Sequence, residues 1–500
     1  MPDQNTLTEH RDQTEEQKSH YDLVVVGAGI AGLNALHAAS LYLPSSSRIL
    51  LIDAKEKPGG MWTKAYDYVR LHQPHPLFTV AGMKWNWRKP SHYLAARDEV
   101  QEHLASCLET LRDQFHVEER FGHLVSDVRE VKRAGTWGAE IDFHRVEDPD
   151  VTITVDADRV IHAAGFNCET PDPFELSAKS VQSITPADLL STLAESQNAP
   201  VYIIGGGKTG MDTILAVQNE NPKRAITLIN GDGTFFMNRT KYFPAGLRRW
   251  TGGALTADIF RDCAMRFDGN NEGETCAHFI GTYATNKDPR SQNFFYGILS
   301  EDESSRVETG LQDKLWDYLD DVVEGPSGAV MCMRSGAEMP VAEGSIFVNC
   351  TGSLLRRGSP EDLAPCLSPN DVILSINMRE AMHVLTTYSS FILSHLFFSG
   401  KLRDAGLYFL DLEALFKKDK QAFSAATMAQ SYHNLLMGFK NLNPSYRKHF
   451  GMDFNLWYPL PRRLLALNKI RKTARDDIKH CRKSLDAVVE RFEIQGGQLQ

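Results

Sequence analysis

The first ordered pattern along the chain lies at residues 21–33, YDLVVVGAGIAGL, where an apolar run of strand length meets Gly27, Gly29 and Gly32 and passes into the helix-like AGLNALHAASLYL. The order predicted is strand, tight turn, helix. A second apolar run at residues 49–52 ends on Asp53, closing a β-α-β unit with an acid about 20 residues beyond the glycines. The pattern returns at residues 201–212, VYIIGGGKTGMD, with Gly205, Gly207 and Gly210, and is followed by the strand-like AITLIN of residues 225–230. Gly205 stands 178 residues after Gly27, so one chain carries two such units. Two more strand-to-glycine segments, residues 160–166 (VIHAAGF) and 346–352 (IFVNCTG), read as crossings between domains.

These patterns predict an α/β fold with two Rossmann-like dinucleotide-binding domains, the second inserted in the first, and a helical C-terminal extension. The expected division is a disordered tail over residues 1–20, a first domain from 21–197 plus 341–405, a second from 198–340, and the helical extension from 406–500. Residues 240–325 exceed what half a Rossmann fold needs and include the loop DGNNEGE at 268–274, which suits a lid, an oligomer contact or a plain surface insertion. The apolar stretch FILSHLFF at 391–398 is far short of the ~20 residues that cross a bilayer and is read as a buried helix. Residues 462–483 are rich in Lys and Arg with leucines between them, a pattern read as a solvated helix face. Membrane association is therefore not expected.

The glycine spacing has a physical meaning. Gly27 permits the turn, Gly29 lets a pyrophosphate approach the backbone, and Gly32 lets helix and strand pack closely. Unpaired N–H groups at the helix start then hold the phosphates, and Asp53 can accept from a ribose diol. At the first site these features leave FAD and NAD both open. In the second motif Lys208 and Thr209 occupy the helix start beside Gly207 and Gly210.

Composition narrows the rest. There are 54 Lys and Arg against 64 Asp and Glu, a formal charge of −10, which lacks the overall field of a nucleic-acid binder. The 8 cysteines are dispersed with no C-x-x-C pair and no metal-ligand spacing, so no metal is expected. Reduced thiols and a polar N-terminus without a secretory core suggest a cytoplasmic location.

The order of these motifs, with Gly59, Gly60, Met61 and Trp62 between the two units and Cys350, Thr351 and Gly352 after the second, resembles the class B flavin-dependent monooxygenases over residues 21 to about 400. The resemblance implies FAD in the first domain and NADPH, with NADH possible, in the second. It also implies that residues 59–74, GGMWTKAYDYVRLHQP, pass beside the flavin ring. The catalytic candidates it gives are Trp62, His72 and Gln73, with Gly60, Trp62, Arg70, Thr351 and Gly352 joining the glycines, Asp53, Lys208 and Thr209 in binding cofactor. A nicotinamide would reduce FAD, O2 would add at C4a, and the hydroperoxide would oxygenate a small soft nucleophile, N or S in preference to a ketone. An FAD oxidoreductase without oxygen insertion and a non-catalytic flavin-binding scaffold remain alternative readings. The partners expected are a small-molecule substrate and O2, and the oligomeric state is not legible.

Coenzyme choice turns on the residues after the second unit's next strand, Asn230, Gly231 and Asp232. Asp232 would repel a 2′-phosphate, whereas Arg239 could grip one if the intervening loop folds back. The expectation is NADPH with weakened discrimination.

Overall fold

A computed structural model of the chain describes residues 18–163, 171–196, 198–285, 287–294, 296–352, 366–376, 386–442 and 455–498. Each glycine motif leaves the central strand of a five-stranded, all-parallel sheet. In the first sheet Leu23–Val26 lies between Val160–His162 and Arg48–Asp53, with Ile373–Ser375 and His116–Phe121 at the edges. In the second, Val201–Ile204 lies between Ile226–Ile229 and Ile346–Asn349, with Asp313–Leu315 and Gln182–Ile184 outermost. Strands covered on both faces need continuous apolar runs, which is why LVVV and ILLI carry no alternation.

Each domain also carries a three-stranded antiparallel excursion. His123–Arg133, Thr136–Arg145 and Asp148–Ala157 form one, and Leu319–Gly325, Gly328–Met333 and Glu338–Pro340 form the other. The domains thus repeat one plan, sheet and hairpin alike.

Strand pairing corrects the sequence-based division. Gln182–Ile184 and Ile346–Asn349, both expected from the sequence in the first domain, hydrogen-bond within the second sheet. An apolar run that ends in glycine is the same signal in either sheet, and only the pairing partner distinguishes them. Residues 164–166 of the first crossing lie outside the described residues, as do residues 1–17 of the expected tail. The last residues of that tail are ordered: His20–Tyr21 pairs in parallel with Asp156 and Ala157, and Lys18 ion-pairs with Glu140.

The helix Thr386–Phe398 packs on Ile30–Ala39, and Phe391, Ile392, Leu393, Leu396 and Phe397 are buried, as FILSHLFF predicted. The C-terminal helices Lys420–Asn441 and Leu460–Phe492 pack against Thr256–Arg266, and Lys420–Asn441 also packs against Glu272–Tyr283. Much of the extra length at 240–325 is therefore a platform for the C-terminal helices. A bidentate Arg261–Asp477 pair, 2.8 and 2.9 Å, fixes this layer, and Arg491 clamps Glu272 at 2.8 Å through both of its terminal nitrogens. The loop 268–274 lies within this packing, where a Cβ on Gly269 would stand 2.6 Å from the Ser484 carbonyl.

Candidate functional site

The two glycine turns are built alike but covered differently. Gly27 (φ 104°) and Gly205 (φ 108°) turn the chain out of each central strand in a conformation that favours glycine. A Cβ on Gly32 would fall 1.7 Å from the Gly27 carbonyl oxygen, and one on Gly210 would fall 2.1 Å from that of Gly205. Helix and strand can approach this closely only without side chains. Helices Ile30–Ala39 and Lys208–Glu220 both begin at a glycine, Gly29 and Gly207, with no side-chain cap. Their first N–H groups form a donor set suited to a diphosphate.

The middle glycines part company. A Cβ on Gly207 would meet nothing within 4 Å, so that turn faces open space. A Cβ on Gly29 would lie 3.2 Å from the Gly60 Cα, and one on Gly60 (φ 56°) would lie 2.9 Å from the Gly29 Cα. The 59–62 segment is thus laid across the first turn, tied by the Gly59 amide, which donates to the Ala28 carbonyl at 3.1 Å. At the base of the second turn, where the chain leaves its strand, the Cys350 carbonyl would stand 3.0 Å from a Cβ on Gly205, while the helix start at Gly207 stays open. Beyond it, the Thr351 hydroxyl donates to Asn349 Oδ1 at 2.6 Å, and Gly352 is exposed.

Asp53 is buried at the end of its strand. Its Oδ2 accepts from the Ala28 amide at 2.6 Å and its Oδ1 from the Lys55 amide at 2.8 Å. The carboxylate therefore braces the glycine turn, and each oxygen keeps a further lone pair for a diol.

Between the domains lies a cleft of about 230 Å³. Tyr68 and Arg70 line it from the first domain, and Lys208, Asp212, Arg239 and Glu303 from the second. Three of the sequence-predicted binding residues, Arg70, Lys208 and Arg239, thus meet on one wall system. Lys208 ion-pairs with Asp212, which also accepts from the Tyr66 hydroxyl at 3.0 Å. The Tyr68 hydroxyl meets Thr213 Oγ1 at 2.9 Å, and that hydroxyl lies 3.4 Å from Cys350 Sγ. Burial and the Asp212 charge hold the Tyr66 phenol well above its ordinary range, so it remains a donor. Burial likewise pushes the Cys350 thiol up to about 12, which leaves it unreactive.

Arg239 donates from each of its three nitrogens in this cleft. Its Nε donates to the His72 carbonyl at 2.7 Å, and its terminal nitrogens reach Glu303 at 2.7 Å and the Ile298 carbonyl at 3.3 Å. Burial disfavours the Glu303 carboxylate, but Arg239, the Ser300 amide and Lys208 outweigh it and hold its pKa below the usual range. The cation that meets Asp232 is instead Lys420, at the start of a C-terminal helix, with the Tyr318 hydroxyl 3.4 Å from the same ammonium. Nothing local in the sequence signals that pairing.

The three catalytic candidates are not gathered in the cleft lining. Trp62 packs edge-on against Phe78 at 5.8 Å, and its carbonyl accepts from Gln101 at 2.9 Å. Gln73 Oε1 is buried with no partner among the described residues, an acceptor in want of a donor. His72 is half-buried, and the desolvation of its imidazole, with Lys208 and Arg239 nearby, lowers its pKa to about 3. It is neutral at working pH. Because the folded value lies below the unfolded one, the stability contributed by neutral His72 is complete above about pH 6.5 and is lost as pH falls toward the folded value. The melting midpoint should therefore drop more between about pH 7 and about pH 5 in the wild type than in His72→Gln, and equal drops would show that the His72 imidazole is not desolvated in the fold.

The fold and paired turns define a protein with two Rossmann-like dinucleotide domains, as the motif order implied. Residues 21–250 match the family model described as pyridine nucleotide-disulphide oxidoreductase. The disulphide chemistry in that name requires a redox cysteine pair, whereas the sequence has no C-x-x-C and the described cysteines are free. Among curated proteins the chain is similar to the uncharacterized protein Rv2000 of Mycobacterium tuberculosis, 28% identical over 242 residues, which are 45% of this chain and 41% of that one. It is also similar to Monooxygenase PC-14 of Penicillium crustosum, 24% identical over 249 residues, 48% of this chain and 41% of that one. The chain thus spans about two-fifths of the length of the curated relatives it matches. Among solved structures, an ornithine hydroxylase from Pseudomonas aeruginosa aligns over 76% of this chain and 99% of its own at 12% identity, with a TM-score of 0.49. No described helix is long and apolar enough to cross a membrane.

Proposed function

We propose that the protein is an FAD-dependent, NADPH-consuming monooxygenase acting on a small soft nucleophile, with N or S favoured over a ketone. The observation that carries this reading is the pairing of a covered first turn with an open second turn. One suits a cofactor that stays, the other a coenzyme that exchanges. The name of the Penicillium relative and the family match over both glycine motifs support it.

The donor sets at Gly29 and Gly207 suit the two diphosphates, and Asp53 suits the ribose of the first cofactor. Bound FAD, reduced by a nicotinamide, would supply the oxygen-transfer chemistry. The chain's own contribution is positional. Gly60 caps the first turn, the Lys208–Asp212–Tyr66 network joins the domains across the cleft, and Arg239 ties the 59–74 segment to Glu303. Neutral His72 has no imidazolium proton to give near pH 7 but keeps one ring N–H for hydrogen bonding, and the unpartnered Gln73 Oε1 offers an acceptor for orienting a ligand. Product analysis under isotopically labelled O2 with amine, sulfide and ketone substrates tests the proposal. Label in the product supports it, and NADPH oxidation that yields only peroxide supports an oxidase instead.

Coenzyme selection follows from Lys420 rather than Arg239. Asp232 alone would repel a 2′-phosphate, but the Lys420 ammonium beside it offsets that charge. Lys420→Ala should weaken the preference for NADPH over NADH by about tenfold, measured as anaerobic flavin reduction, because the carboxylate then faces the phosphate alone. Arg239→Ala should leave the ratio unchanged. The reverse pattern would return the phosphate site to Arg239.

A further inference from the structure

Six of the thirteen large apolar residues exposed among the described residues lie where two segments far apart in sequence meet. After the cleft residue Arg239, Leu247 is 84% exposed and Trp250, on the short helix Arg248–Thr251, is 55% exposed. Beside it begins the helix Leu460–Phe492, on which Leu460, Leu464, Leu465 and Leu467 are also exposed, Leu465 at 71%. Arg462 joins the two, donating to the carbonyls of Arg249 (2.9 Å) and Gly252 (2.6 Å), on either side of Trp250. Leu460, Leu464, Leu467 and Arg471 follow helical spacing and form one stripe. The inner face of the same helix is committed elsewhere, with Ala466, Asp477 and Cys481 buried and Lys469 paired to Asp258 at 3.1 Å.

Charge identifies what the outer face meets. Residues 460–475 hold no carboxylate, and although Arg462 and Lys469 are engaged with the protein, Arg471, Lys472 and Arg475 are exposed on this helix and Arg248 on the neighbouring segment, all in a chain of net charge −10. We propose that this face is a monotopic docking surface for an anionic lipid bilayer. Leu247, Trp250 and the leucine stripe enter the headgroup boundary, and the cations pair with lipid phosphates. An indole beside exposed leucines and a basic rim is the composition that lies in a membrane interface. A second copy of the chain would set these exposed cations against their like. A nucleic acid would satisfy the cations but offers nothing to five exposed leucines. The long helix alone reads as a solvated face, and it is the adjoining 247–250 segment that changes the assignment. The proposal is independent of the chemistry in the cleft.

The test is co-sedimentation of the full chain with vesicles of phosphatidylcholine alone and of phosphatidylcholine with about 30 mol% phosphatidylglycerol, at about 0.1 and about 0.5 M salt. The expected result is binding to the anionic vesicles at the lower salt, at least about tenfold weaker on neutral vesicles and reduced at the higher salt. Leu247→Ser with Trp250→Ser, and separately Arg471→Glu with Lys472→Glu, should each lower binding by about tenfold or more while the melting midpoint stays in place, since all four side chains are exposed. No binding to anionic vesicles overturns the proposal. So does equal binding to both vesicles, binding untouched by either pair of substitutions, or a dimer in light scattering that the substitutions dissolve while vesicles are ignored.

Discussion

Gly32→Ala should abolish accumulation of folded, flavin-loaded protein. The added methyl would lie 1.7 Å from the Gly27 carbonyl oxygen and 2.9 Å from its carbon, and both are backbone atoms of the turn itself. A flexible side chain could rotate away, but this turn can yield only by moving the helix off the sheet. That helix is buried along most of its length and packs against Thr386–Phe398, so displacement would propagate through the core. The cost should exceed about 4 kcal/mol, a large part of the stability of a domain. Denaturant midpoint and bound-flavin absorbance measure it together. A Gly32→Ala protein with wild-type midpoint and flavin content would show that the helix does not approach the strand as described.

Gly207→Val should have the opposite character. This glycine has φ −77°, which any residue can adopt, and its Cβ would meet no protein atom within 4 Å. The fold should therefore tolerate the change to within about 1 kcal/mol, and first-domain flavin should remain bound. The space the side chain fills, however, is that beside the uncapped start of the Lys208–Glu220 helix, where a diphosphate would be held. Anaerobic reduction of the bound flavin by NADPH should fall by about a hundredfold, the loss expected when charge-assisted phosphate contacts are blocked. Retention of wild-type reduction would remove the second turn from the coenzyme site. The two substitutions act as controls for each other, because one tests packing without solvent and the other solvent without packing.

The sequence and the structure divide the remaining explanation along a physical line. Whatever depends on a few consecutive residues was legible. Apolar runs ending in glycine marked both central strands, the spacing of Gly27, Gly29 and Gly32 marked a turn that needs bare backbone, and the run FILSHLFF marked a helix with no polar face. These are local facts, set by φ, by the absence of Cβ and by burial on all sides. Asp53 is an intermediate case: its position at a strand end was visible, but its two bonds to the Ala28 and Lys55 amides were not.

Tertiary structure alone decided which segments meet. It laid Gly60 over Gly29, moved Gln182–Ile184 and Ile346–Asn349 into the second sheet, paired Arg239 with Glu303, and brought Lys420 to Asp232 across 188 residues. It also set Leu247 and Trp250 beside the leucines of the last helix. A lysine on a helix or a leucine in a loop has the same local pattern whatever it faces. Ion pairs and surface patches are properties of distance in space, and chain order leaves that distance open until the two sheets and the helical layer have packed.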